Sequence, residues 1–221
     1  TMRVLRLARN SARRSRTEAL NQMRSIISTA PDPIRCELRD LNVYRMLEKA
    51  SSYRPRNRHD VDGGTKWVLR TLARRAIAFE AEVKELDVVL KDLVAETAPE
   101  LVSRSGLGTD TTSGLLVAAG DNPGRLPNEG SFAHLCGVAP VDANTGKQLR
   151  RHRLNHGGDR QANSALSHIV ITRMASDQRT RDYINRRTTE DGLTKKETIR
   201  CLQRHIAHEI YHHLPHPKHA P

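Results

Sequence analysis

The densest run of chemically capable side chains lies between Gly137 and Asn163, GVAPVDANTGKQLRRHRLNHGGDRQAN. Lys147, Arg150, Arg151, Arg153 and Arg160 are interleaved there with His152 and His156, and Asp159 is the one acid between Lys147 and Arg160. Cations grouped in this way suit a polyanion, because neutralising several phosphates together releases condensed counterions. Gly157, Gly158 and Asp159 then read as a turn and an N-cap. Ala162, Ala165, Leu166, Ile169 and Val170 follow at the spacing of a one-faced helix. Free N–H groups at a helix start favour an anion, so Asn155, Arg160, Gln161 and Asn163 join the basic arm as candidate nucleic-acid-binding residues. The competing reading is a solvated loop in an alkaline protein.

Three further groups invite chemistry. Thr145 is a hydroxyl beside guanidinium groups that could hold a scissile phosphate and stabilise its developing charge. Gly106-Leu107-Gly108 lies between an apolar helix end and the run Leu115, Leu116, Val117, the pattern of a helix-hairpin-helix unit. In such a unit Gly106 and Gly108 let backbone N–H groups approach a phosphate; the alternative is a tight turn between core helices. His205, His208, Glu209 and His212 can share one side of a helix, yet lack the HExxH order, so no metal site is assigned. Asp110, Asp121, Asp142 and Asp159 are scattered in turns where Asp serves as a cap, and no acidic strand pattern supports two-metal phosphoryl transfer.

Composition agrees with a polyanionic partner. The 221 residues carry a formal charge of +12, and only 3% are aromatic, which leaves few platforms for stacking on unpaired bases. Contact with duplex phosphates fits better. Cys36, Cys136 and Cys201 are far apart with no CxxC, against both a disulfide framework and a thiolate zinc site. No apolar run has the length of a membrane span, and no secretory leader opens the chain, so a reduced cytoplasmic, nucleoid-associated setting is expected. Thr1 before Met2 suggests a fragment.

The elements that must position these groups read as helices throughout. Met2 to about Thr29 lacks Pro and Gly and places Val4, Leu5, Ala8, Ala12, Leu20, Met23 and Ile27 at helical spacing among arginines, ending at Pro31 and Pro33. Those arginines form a solvated face or a nucleic-acid contact. One helical stretch over Ile34 to Ala50 and a connector over Ser51 to Gly64 come next. From Thr65, Leu69, Leu72, Ala76, Phe79, Val83, Leu86, Leu90 and Leu93 form a heptad seam that buries against the first helix or a second copy of the chain. A homo-oligomer through this Leu69-to-Leu93 seam is expected in addition to the hairpin. Beyond Pro99, Ser131 caps a short helix over Phe132 to Cys136, and a charged helix spans Asp177 to Thr189. Thr194 and Glu197 make a capping box for the last helix. The expectation is an all-α protein in which a coiled-coil helical hairpin over residues 1–97 precedes a small helical domain over 98–214. A frayed tail, 215–221, closes the chain.

The ordered motifs GLGTDTTSGLLVAAGDNPGRL, FAHLCGVAPVDANTGK, RHRLNHGGDRQANSAL and RTRDYINRRTTEDGLTKKETIRCLQRHIAHEIY resemble the C-terminal part of the insertion-sequence transposases of the family numbered one hundred and ten. The resemblance reaches back through the coiled coil and the basic first helix. It implies a bacterial mobile-element transposase, acting as a dimer or tetramer on element ends and target DNA, in some members with a guide RNA. The family joins an N-terminal RuvC-like domain with four metal-binding acids to a transposase domain carrying a serine. By this comparison the chain begins at the end of the acidic domain, which implies no cofactor in the chain itself and Mg²⁺ only in the missing domain. The family's serine motif reads Asn144-Thr145-Gly146 here, so the serine position falls on Asn144, whose amide cannot form a phosphodiester link. The resemblance thus implies a DNA-binding, cleavage-deficient portion of a transposase. The rivals are a recombinase using Thr145 with the acidic domain supplied by another chain, and a helical module that only oligomerises.

Overall fold

The computed structural model describes residues 1–142, 152–154 and 157–215. Its helices are α1 (Met2–Thr29), α2 (Asp32–Leu38), α3 (Val43–Ser51), α4 (Val61–Thr97), α5 (Pro99–Val102), α6 (Thr109–Ala119), α7 (Glu129–Leu135), α8 (Arg160–Ser176), α9 (Gln178–Thr189) and α10 (Lys195–Tyr211). The fold is all-α, with one addition that the helical periodicity did not signal. Strands β1 (Pro140–Asp142) and β2 (His152–Leu154) pair antiparallel, with Pro140 opposite Leu154 and Asp142 opposite His152. Contacts divide the chain into two compact units, one reaching Val89 and one running from Leu90.

In the first unit, α1 and α4 pack antiparallel. Ala19, Leu20, Met23 and Ile27 of α1 share a core with Leu69, Leu72, Ala73 and Ala76 of α4, closed by Ile34, Leu38, Met46, Leu47 and Ala50. Each helix buries one apolar stripe, the arrangement that gives marginal helices most of their stability. Polar pairs fix the register: Arg9 bonds Asp87, and Arg16 Nε lies 2.5 Å from Glu80. Two arginines of the basic helix therefore hold α4. Val4, placed on the apolar stripe by its spacing, is 68% exposed instead.

Two boundaries differ from the sequence reading, each for a local reason. The stretch over 34–50 is two helices, because the Asn42 side chain accepts from Arg45 N and starts α3 afresh. Helix α4 begins at Val61 and takes in both glycines of the supposed connector. Gly63 fits there because a Cβ would lie 1.7 Å from the Asn57 carbonyl oxygen, while its N–H donates to the Asp60 carboxylate.

The second unit is built around α8. Its Ala162, Ala165, Leu166, Ile169 and Val170 are buried, as their spacing requires, among Leu101, Leu107, Leu115, Phe132, Leu202, Ile206 and Ile210. The capping box of α10 is formed as read: Thr194 accepts from Glu197 N, and Glu197 accepts from Thr194 N. Helix α7 is capped by Asn128 rather than Ser131, whose N–H donates to the Asn128 side-chain Oδ1 at 2.9 Å. Among the described residues no helix is long and apolar enough to cross a membrane.

Candidate nucleic-acid interface

The ribbon grows from the point where α7 ends and α8 begins. Helix α7 stops in a Schellman turn: Val138 N donates to Ala133 O at 2.9 Å and Gly137 N to His134 O at 3.0 Å, with Gly137 at φ +66. That left-handed residue swings the chain out of the helix and into β1. Beyond β2, at Gly158, the backbone passes directly over the end of α7. A Cβ on Gly158 would lie 2.3 Å from Gly137 N, 2.5 Å from its Cα and 2.8 Å from Leu135 O, so only glycine permits this approach.

The last carbonyls of α7 have no intrahelical donors, and the start of α8 supplies them. Asp159 N donates to Leu135 O at 2.6 Å, and Asn163 Nδ2 donates to Cys136 O at 2.9 Å. The Asp159 carboxylate in turn accepts from Gln161 N and Ala162 N at 2.8 and 2.9 Å. Behind the joint, Gln203 Nε2 of α10 donates to Ser167 Oγ, which donates to Asn163 O. Burial pushes the Cys136 thiol up to about 12, so this sulfur stays protonated and acts as an apolar filler. The joint therefore clamps both feet of the ribbon against one rigid core.

These contacts sort the residues singled out by the sequence. Asn144, Thr145, Lys147, Arg150, Arg151 and Asn155 lie outside the described residues. Arg153 is in β2, paired with Val141. Arg160 and Gln161 are exposed at the start of α8, as an outward contact requires. Asn163 is half-buried and its amide nitrogen donates to the end of α7, which makes it a lock at the joint. The Asp159 carboxylate already occupies the anion position at the head of α8.

The Gly106 to Gly108 turn is also tied inward. Gly106 takes φ +81, and a Cβ there would press on Ile169 and Arg173 of α8 at 3.2 Å. Leu107 N donates to Arg104 O, and Gly108 N donates to Thr111 Oγ1. With those two N–H groups engaged, the turn reads as helix packing; only Gly108 is exposed, with open space where its Cβ would stand.

The histidine-rich helix divides among three neighbours. Glu209 accepts from Arg173 at 2.8 and 3.0 Å and from Arg104 at 3.1 Å, and the Arg173 hydrogen bonds hold its carboxyl below the ordinary value. His205 stacks edge-on against Tyr183, and its pKa is lowered by burial and then by Arg204, His208 and Arg187. His208 and His212 face Glu129 of α7. The sequence offered no signal for the Glu209 and Glu129 pairings, since their partners are remote along the chain.

Residues 98–185 match the family model described as Transposase IS116/IS110/IS902 family. The matched segment contains the ribbon, the α7–α8 joint and α8, and the match supports an insertion-sequence transposase with a role in DNA transposition. No curated protein matches the chain. Mg²⁺-dependent cleavage of the kind the resemblance implies needs converging carboxylates. Among the described residues none converge, and the one group of three metal-capable side chains is Glu129, His208 and His212. The chain's own described residues do not fit that Mg²⁺ role.

Proposed function

We propose that the chain is the nucleic-acid-gripping part of an insertion-sequence transposase, holding element ends or target DNA through the basic arm between β1 and β2. The observation that supports this reading is the clamped ribbon. Its strands bracket the stretch containing Lys147, Arg150 and Arg151, with Arg160 exposed beside the second foot, all inside the transposase-matched segment. Ribbons of this kind enter DNA grooves as rigid two-stranded elements. A base already fixed by the joint adds no ordering cost of its own on binding.

Strand joining is a separate matter. Asn144 stands where the resemblance puts a serine, and an amide nitrogen is no nucleophile toward phosphate at neutral pH. The chain binds DNA and leaves cleavage to carboxylates from another domain or chain; a guide RNA would engage the same phosphate-binding arm. Arg150→Ala with Arg153→Ala tests the grip in a salt titration on duplex DNA. Each lost phosphate contact removes about 0.9 from the slope of log K against log salt, so the double variant should lose roughly 1.8. Unchanged affinity and slope would reject the arm as the binding element.

A further inference from the structure

The geometry points to a Zn²⁺ site between α7 and α10, formed by Glu129, His208 and His212. His208 and His212 are one helical turn apart, so their rings stand on the same face, with centroids 4.7 Å apart. Glu129 comes from the first turn of α7. Its Oε2 lies 2.7 Å from His208 Nε2 and 3.8 Å from His212 Nε2, and one ligand atom from each residue falls within 4.8 Å of the others. Tetrahedral zinc with bonds of about 2.0–2.1 Å sets its ligands about 3.3–3.4 Å apart, a value between those two distances. Small side-chain rotations therefore suffice to close the site.

Two imidazoles and a carboxylate form a donor set suited to zinc and unsuited to Mg²⁺, which prefers oxygen alone. Arg204 donates to Glu129 Oε1 at 3.0 Å. That bond fixes the carboxylate plane and leaves Oε2 for the metal, the outer-shell support that ligating carboxylates commonly have. The two histidines are more than half exposed, so a fourth position is open to water. Binding replaces the direct His208–Glu129 contact and staples the head of α7 to the end of α10. The site is separate from the DNA-binding arm and does not depend on that reading.

The test is isothermal titration of the full chain with ZnCl₂, with thermal unfolding as a second readout. One ion per chain and a raised unfolding midpoint are expected. His208→Ala, His212→Ala and Glu129→Gln should each weaken binding at least tenfold with unchanged circular dichroism. His216→Ala with His219→Ala should leave it intact. Zinc uptake that persists in His208→Ala/His212→Ala but is lost with the tail histidines would overturn the assignment. No uptake at roughly 100 μM zinc, or an equal response to MgCl₂, would overturn it as well.

Discussion

The substitution Gly158→Ala addresses the joint on which the ribbon stands. The added methyl would meet Gly137 N at 2.3 Å, Gly137 Cα at 2.5 Å and Leu135 O at 2.8 Å, all backbone atoms with no rotamer to change. Gly137 cannot easily retreat, because its φ of +66 belongs to the turn that ends α7. The chain must part by about an ångström, which strains or breaks the Asp159 N to Leu135 O bond of 2.6 Å next to it. Overpacking costs about 1–3 kcal/mol, and the lost hydrogen bond adds about 1 kcal/mol. For a protein of this size each kcal/mol moves the midpoint by roughly 2–4 °C, so a fall of about 4–16 °C is expected in a thermal melt followed by circular dichroism. Gly108→Ala is the control: it also replaces a glycine before a helix, but nothing lies within 4 Å of its Cβ. Its cost should stay below about 1 kcal/mol. Equal midpoints for the two variants would refute the close approach and, with it, the clamped base of the ribbon.

Other outcomes follow from the same contacts. Leu69→Ala empties a fully buried position and should cost about 2–5 kcal/mol, whereas Val88→Ala, at a side chain 62% exposed, should stay within about 0.5 kcal/mol; denaturant titration separates them. Because the folded pKa of Glu209 is depressed below its ordinary value of about 4.5, its contribution is present above that value and lost as pH falls through the lower folded one. Glu209→Gln should therefore flatten the acid limb of stability measured by urea melts from pH 6 downward, and an unchanged limb would place the loss elsewhere. Thr145→Ala should leave duplex affinity unchanged; a covalent DNA adduct formed with Thr145 and absent from the alanine variant would instead make Thr145 a nucleophile.

The elements were legible wherever a side chain reports its surroundings locally. Asp159 as a cap, the Thr194–Glu197 box and the stripe from Ala162 to Val170 are short-range signals, and each is present in the structure. The ribbon was not legible, because three-residue strands are too short for alternation to register and the paired residues are drawn together by the glycines behind them. The inward bond of Asn163 was hidden for a related reason. At the fourth position of a basic helix start an amide looks like a phosphate contact, and only the packing of α8 on α7 shows that the carbonyls ending α7 accept from it. Glu129 and Glu209 stayed hidden because their partners sit about 80 and between 36 and 105 residues away along the chain.

Net charge also acquires a location once the pairings are known. On α1, Arg9 and Arg16 are two turns apart and meet Asp87 and Glu80, likewise two turns apart and in reverse order. That spacing can be met only by antiparallel helices in this register, so these cations specify the hairpin and are not available to DNA without unmaking it. Arg104 and Arg173 are committed to Glu209 in the same way, and Arg204 to Glu129. The seam is affected too. Leu69, Leu72 and Ala76 are buried inside one chain, whereas Phe79, Val83, Leu86 and Leu93 of the same stripe are only half-buried. Of the overall charge of +12, therefore, only the cations without such duties are left for a polyanion. Arg160, by contrast, is exposed at the head of α8, where Asp159 caps the backbone.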